Sequence, residues 1–360
     1  MSGKKPLKTH LYNYASGRIR AMELQLLDSG RLNRLYEARS AEDVARVLAD
    51  SGYPAAQDPE TSLAKETAEV YRLVENLMPD RELINALQIF HDFHNLKVVL
   101  KSLLATWPRI SSGTDAAGGA DLLPESSSLA SYQPCEHLMR KPSLVDPQKL
   151  FIAVRDRQAD QIPVWLYAAA LAASRRYLST YDLSDIDLTL DRAAARQALD
   201  LTGHLDCPFF ASYLARIFDL TNLGLLLRTR YLRSGREYLE QALLPGFAVS
   251  ADRIADCYSA EPDVIVTLYA NTPYEAMAAL AAHYGEPGTA TRFSQQADNL
   301  IIELIRKVRW TLSGPEIPLA YLIGREMEIK NIRIVLTCLR NGLPASQARE
   351  MARDSYLTWR

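Results

Sequence analysis

The sequence predicts an all-α protein assembled by three-fold internal repetition. Helix formers with apolar side chains at helical spacing run through most of its 360 residues, and sustained period-two alternation of the strand kind is absent. A nine-residue pattern of acid, apolar, any, Asn, apolar, any, apolar, apolar, Leu is written three times. Its copies are Asp92–Leu100, Asp219–Leu227 and Glu328–Leu336, with the Asn at Asn95, Asn222 and Asn331. These Asn residues recur 127 and 109 residues apart, a period near one small domain. Repetition on that scale points to one helical unit used three times, and to a protein that fits onto something.

The first helical stretch, RIRAMELQLLDSGRLNRLYEA, is rich in good helix formers. Ser40 then precedes AEDVARVLAD with Asp43 three residues on, a near capping box, and Gly52 stops that helix. The segment Ile110–Pro134 is loaded with Ser, Gly, Ala and Pro and is expected to be a long, mobile surface loop. It is long enough to absorb the 18-residue difference between the two repeat spacings. Boundaries are therefore expected in this loop and near Leu244-Pro245-Gly246, giving units 1–125, 126–244 and 245–360. A fainter half-repeat joins the outer two. LLDSGRLNRLYEARSAEDVARVLADSGY ends at Tyr53 and LLPGFAVSADRIADCYSAEPDVIVTLYANTPY at Tyr274, each opening on Leu-Leu and carrying Ser-Ala-Glu midway. The middle third shows no clear counterpart.

Placed on a helix, the motif presents one apolar face. Phe93, Leu96, Leu100 and Leu103 share it in the first copy, Ile329, Ile332, Leu336 and Leu339 in the third. The second gives Leu220, Leu223 and Leu227, and then Arg230. Burying each large apolar side chain is worth roughly 1.5–3 kcal/mol, so packing decides these helices. The Asn stands beside the stripe. One reading is a buried amide that bonds a neighbouring helix and fixes its register; the other is a ligand or partner contact. The acids Asp92, Asp219 and Glu328, one turn earlier, fit either a first-turn or solvated residue or an ion-pair partner across units.

Bulk composition narrows the function. A formal net charge of −2 gives no global attraction to nucleic acid or anionic lipid. The four cysteines, Cys135, Cys207, Cys257 and Cys338, form no CxxC pair, which leaves zinc unsupported and suggests reduced thiols in the cytosol. The basic N-terminus lacks the apolar core of a secretory signal. The longest uncharged helical run, Ile162–Ser174, is 13 residues, too short for a ~30 Å bilayer core, so no span of the membrane is expected. No phosphate-binding GxxxxGK[ST] loop is present. His91 and His94 lack a third metal ligand. Asp182, Asp185, Asp187 and Asp191 in YDLSDIDLTLD resemble the magnesium-binding acids of an all-α prenyl-transfer enzyme, but the second acidic motif is missing. A capping region between helices is the competing explanation. Arg228, Arg230, Arg233 and Arg236 form either a solvated helix end or a basic contact patch.

The phrases FHNLKVVLK, YNYASGRIRAMELQLL and REMEIKNIRIVLTCLRNG together resemble the C subunit of bacterial and archaeal V-type (A/V-type) ATPases, the counterpart of the d subunit in the eukaryotic vacuolar enzyme. The resemblance runs from about Tyr12 to about Gly342. It implies a funnel-like, all-helical protein of three similar domains, peripheral on the cytoplasmic face of the membrane. It implies a non-catalytic adaptor with no cofactor, nucleotide or nucleic acid, joining the central stalk to the membrane rotor ring and passing torque during ion transport. Arg230 and Arg233 would then be candidate ring contacts. An acid-cluster enzyme and a helical scaffold with unrelated partners are the alternatives.

Overall fold

The computed structural model describes residues 4–105 and 131–357. Residues 110–130 of the Ser/Gly-rich segment, with the boundary placed there, lie outside the described residues. The chain is all-α. Among the described residues, strand structure is limited to Lys5–Pro6 (β1) paired in parallel with Leu205–Asp206 (β2).

In chain order the helices are α1 (Asn13–Met22), α2 (Ser29–Tyr36), α3 (Ala41–Asp50), α4 (Pro59–Leu77) and α5 (Arg81–Ala105), which carries the first motif. Next come α6 (Gln133–Glu136), α7 (Pro147–Arg155), α8 (Val164–Thr180), α9 (Ser184–Thr202) and α10 (Pro208–Leu232), with the second motif. Then follow α11 (Arg236–Ala242), α12 (Ala251–Asp256), α13 (Pro262–Leu268), α14 (Glu275–Ala278), α15 (Thr289–Arg306), α16 (Glu316–Arg340) with the third motif, and α17 (Ala348–Met351). The starts are written locally. Asp28, Ser40, Asp58 and Asp146 each accept a backbone N–H from the first turn, and Pro occupies the first turn of α4, α7, α10 and α13. Ser40 and Asp43 form the full capping box, and Gly52 follows α3 at φ +81°, where a side chain would be strained.

The chain divides into two compact units. One holds residues 4–84, 205–240 and 245–357; the other holds 85–105, 131–204 and 241–244. In the second unit, the motif face of α5 (Phe93, Leu96, Leu100, Leu103) is buried with Leu150, Phe151, Leu166 and Leu190 from α7, α8 and α9. In the first, Ile329, Ile332 and Leu336 of α16 are buried with Leu35, Val44, Leu48 and Leu63 from α2, α3 and α4. Leu220, Leu223 and Leu227 of α10 are buried as well. The three sequence stripes are thus core faces. α10 is long and apolar enough to cross a membrane by length and composition, although Arg216 and Asp219 break it into shorter uncharged runs. Most of that stretch is already buried within the protein, and Asp219 in its middle is bonded to backbone, as in a core helix.

All four cysteines are buried and free. Burial raises their thiol pKa values, Cys207 to about 11, so they are protonated and inert at neutral pH.

Candidate functional site

The motif acids lie inside their helices, not at the first turn. α5 begins at Arg81, well before Asp92, and Asp92, Asp219 and Glu328 are all buried. Each is used to hold backbone. Val145 N–H donates to Asp92 Oδ1 at 3.0 Å. Phe247 and Ala248 N–H donate to the two oxygens of Asp219 at 2.8 and 3.0 Å. Leu27 N–H donates to Glu328 Oε2 at 2.5 Å. The donors share a position in the chain: Leu27 precedes Asp28 at the start of α2, Val145 precedes Asp146 at the start of α7, and Ala248 lies just ahead of Ser250 at the start of α12. A carboxylate inside each motif helix therefore fixes where another helix begins. Neither a solvated residue nor, for Asp92 and Asp219, an ion-pair partner describes this.

The two half-repeat tyrosines complete the sites. Tyr53 Oη donates to Glu328 Oε1 at 2.5 Å and Tyr274 Oη to Asp219 Oδ2 at 3.2 Å. Among the described residues Asp92 has no such donor, and its Oδ2 is buried without a hydrogen bond. Burial pushes the Asp92 carboxyl up to about 7, against the opposing pull of the Val145 and Leu144 N–H groups. Asp219 is also raised by burial, with the N–H groups of Phe247 and Ala248 and the Tyr274 hydroxyl working against it.

Glu328 sits in the most charged of the three sites. Arg325, one turn earlier and buried, pairs with Glu328 and places Nε 3.0 Å from Glu66 Oε1 on α4. Its guanidinium also lies 5.1 Å from the centroid of the Tyr53 ring and 5.9 Å from that of Tyr321. Burial raises the Glu66 carboxyl above its ordinary range, and Arg325 counters that shift.

The Asn residues form a second kind of pin. Asn95 donates Nδ2 to Arg140 O at 3.0 Å and accepts Arg140 N–H on Oδ1 at 2.7 Å. Asn331 does the same to Arg353, at 3.0 and 2.8 Å. The amide clasps both polar groups of one residue, as a neighbouring strand would. Arg140 and Arg353 lie outside helices, so the partner is an irregular segment where the sequence suggested a neighbouring helix. Asn222 is fully buried at the matching place on α10. Asn95→Leu is accordingly expected to loosen the chain at Arg140, while His94, His91 and Asp92 still hold Leu138, Pro142 and Val145, and to leave the register of α5 intact, at a cost of about 1–3 kcal/mol for backbone groups left unpaired. Amide exchange is the measurement: protection lost at Arg140 but kept along α5 is the expected result, and a shifted α5 would contradict it.

One motif position differs by copy. Lys97 pairs with Asp191 at 2.5 Å and Arg333 with Glu60 at 3.2 Å. Gly224, at the same position of the second copy, faces the Phe293 ring of α15, 3.0 Å from where a Cβ would stand. Gly224→Lys should destabilise the chain by about 1–3 kcal/mol through overpacking, despite ~1 kcal/mol gained in helix propensity. An unchanged thermal melting temperature would show that Phe293 yields freely.

The family model described as ATP synthase (C/AC39) subunit matches residues 15–351. The chain belongs to this family. The C subunit of the V-type sodium ATPase of Enterococcus hirae is 19% identical over 96% of this chain and 99% of its own length. The C subunits of the A-type ATP synthases of Thermococcus onnurineus (22% identical, 96% and 90% covered) and Methanocaldococcus jannaschii (21%, 94% and 86%) are similarly related.

Most of the remaining candidate residues of this C/AC39 family member are engaged in its own structure. Asp182 accepts the Ser184 N–H, Asp185 pairs with Arg176, Asp187 with Lys101 and Asp191 with Lys97. Asp182 thus caps the turn between α8 and α9, and the other three carboxylates are ion-paired. His91 Nδ1 and His94 Nε2 bond the carbonyls of Pro142 and Leu138 at 2.6 and 3.0 Å. Of the two candidate contact arginines, Arg230 donates Nη1 to the carbonyls of Cys257 and Tyr258, both at 2.8 Å, while Arg233 is exposed at the end of α10 with φ +54°. Sequence reasoning missed the partners of the motif acids; the one available signal was the pairing of Tyr53 with Tyr274.

Proposed function

We propose that this chain is a non-catalytic adaptor of a rotary V-type or A-type ATPase, joining the rotating central stalk to the membrane rotor ring and passing torque between them. The family match over nearly the whole chain carries this reading. Its cofactor-free, mechanical character is supported by where the buried acids go: they hold backbone at helix starts, which stiffens a part that must transmit force. The peripheral, cytoplasmic-face location follows from the same reading, as does a large and partly polar interface with the stalk.

The three-fold organisation belongs to the proposal too. The hydrogen bonds favour a cyclic form of it: α5 serves the segment before α7, α10 the segment before α12, and α16 the segment before α2. Each motif helix would then complete the repeat that follows it, which moves the working boundaries off 125/126 and 244/245 by one helix.

The test is assembly. In cells lacking this chain, complexes pulled down through a tagged ring protein should lose the stalk and catalytic head, and ion pumping should stop while the detached head still hydrolyses ATP. A ring that retains the head and pumps normally would overturn the proposal. For ring contact, Arg233→Glu is the informative variant, because Arg230 is tied to Cys257 and Tyr258 and its reversal would disturb the fold.

A further inference from the structure

Two stretches of the first unit depart from the rest of the chain in charge and exposure. Residues 4–25 and 306–313 carry Lys4, Lys5, Lys8, Arg18, Arg20, Arg306, Lys307 and Arg309 against the single acid Glu23, in a chain whose net charge is −2. Glu23 is already paired with Arg20. Lys5 and Arg306 reach acids outside the stretches, Asp80 at 3.7 Å and Asp354 at 3.5 Å. The same stretches expose large apolar side chains: Leu312 at 95%, Leu24 at 80%, Trp310 at 79%, Tyr14 at 71% and Leu11 at 51%.

The two stretches are tied together. Arg20 Nη2 donates to the carbonyls of Val308 and Thr311 at 2.7 and 3.0 Å, and Ser313 Oγ donates to Thr9 O at 3.0 Å. The 307–313 segment is thereby strapped along α1. Val308 turns inward and is buried, which leaves Trp310 and Leu312 outward. On α1 and its flanks, Tyr12, Ala15, Ser16 and Ile19 are buried while Leu11, Tyr14, Arg18, Ala21 and Leu24 are exposed at helical spacing. α1 packs its inner face on α16. Its outer stripe, with the strapped segment beside it, is an apolar and aromatic face set among bases.

We propose that this face binds the headgroup region of an anionic lipid bilayer, with Trp310, Leu312 and Tyr14 at the boundary of the acyl chains and Lys4, Lys8, Arg18 and Lys307 against the phosphates. The residue set is the argument. Trp and Tyr favour the interface because each joins an apolar ring to a polar tip, and Lys and Arg bury their stems while the charge stays among phosphates. Among the described residues the one acid of the two stretches, Glu23, is taken by Arg20, which leaves an excess of base on this face for an anionic surface to match. Each base close to an anionic surface changes partitioning roughly fivefold. Two bases alone would be marginal; four, with apolar side chains to insert, make a reversible anchor. The proposal goes beyond the stalk-and-ring reading and does not depend on it, since the ligand is lipid.

Co-sedimentation of the full chain with vesicles tests it. Vesicles of phosphatidylcholine with about a third phosphatidylglycerol should bind the chain at low salt, phosphatidylcholine alone should bind it far more weakly, and added salt should reverse the binding. Trp310→Ser with Leu312→Ser should weaken binding at least tenfold, and Lys8→Gln with Arg18→Gln and Lys307→Gln should reduce it further and flatten the salt dependence. All five residues lie on the surface, so unchanged melting temperatures will confirm that the variants fold. Wild-type chain that ignores anionic vesicles at low salt overturns the proposal, and so does binding that the Trp310/Leu312 variant retains. A variant that binds vesicles normally but no longer co-purifies with the rest of the ATPase also overturns it, and identifies the face as a protein contact. The assembly experiment is read separately: a wild-type chain that binds lipid yet joins no rotary complex would sink the adaptor reading and leave this one standing.

Discussion

Arg325→Met is expected to be the most damaging single replacement in the chain, costing about 3–5 kcal/mol of stability at neutral pH. The guanidinium is buried against two buried carboxylates, Glu328 and Glu66, and among the described residues no other cation is paired with either. Removing it leaves both acids without a paired cation, with only the Leu27 N–H and the Tyr53 hydroxyl on Glu328 to offset the charge. Methionine fills much of the volume, so the loss is electrostatic and can be separated from packing by pH. A carboxylate stripped of its cation in a buried site holds its proton to higher pH, so the folded state gains protons relative to the unfolded one as the solution is acidified. The deficit should therefore shrink from pH 7 to pH 5 as Glu66, already raised by burial, is neutralised. Urea unfolding at the two pH values measures it. A variant as stable as the parent at pH 7, or a deficit independent of pH, would show that the triad is not held as an ion pair.

Asp92→Asn should act in the opposite direction and stabilise the chain above pH 7. Unfolded aspartate releases its proton near ~3.9, while the buried Asp92 holds its proton up to about 7. Between those values the folded state binds more protons than the unfolded one, so the stability this group confers at low pH is lost as pH rises towards 7. Asparagine keeps an oxygen for the Val145 N–H and carries no charge to bury. The gain expected at pH 8 is about 2–4 kcal/mol, fading towards pH 4. His91 and His94 complicate the raw profile, because burial lowers both and each costs stability as pH falls. They are common to both proteins, so the difference between parent and variant isolates Asp92. Parallel urea midpoints from pH 4 to pH 8 would refute the assignment.

The fold class was legible because helix signals are local. Capping residues such as Ser40 and Asp43, the stop at Gly52 and the stripe from Phe93 to Leu103 each act within a few turns, and each was found where the spelling placed it. The roles of the motif acids were not legible. Asp92 answers to a backbone N–H 53 residues away and Glu328 to one 301 residues away, and a backbone donor has no residue type to betray it. The same holds for Asn95 and Asn331, whose partners Arg140 and Arg353 take part through main-chain atoms. Side-chain partners do leave a trace, since Tyr53 and Tyr274 end matching half-repeats and their hydroxyls meet Glu328 and Asp219. The outward turn of Trp310 and Leu312 depends on the Arg20 strap and could not be read from composition.

The contact between Leu27 and Glu328 sets an order on how the protein is made. The start of α2 is held by a carboxylate that the ribosome adds 301 residues later, and the same carboxylate holds the Tyr53 hydroxyl. At roughly 5–20 residues per second, about 15 to 60 s pass between Leu27 and Glu328. Through that interval the Leu27 N–H and the Tyr53 hydroxyl lack the acceptor that holds them in the folded chain. A chain cut short anywhere before α16 would lack this latch, so a premature stop late in the gene would damage its first helices as surely as its last.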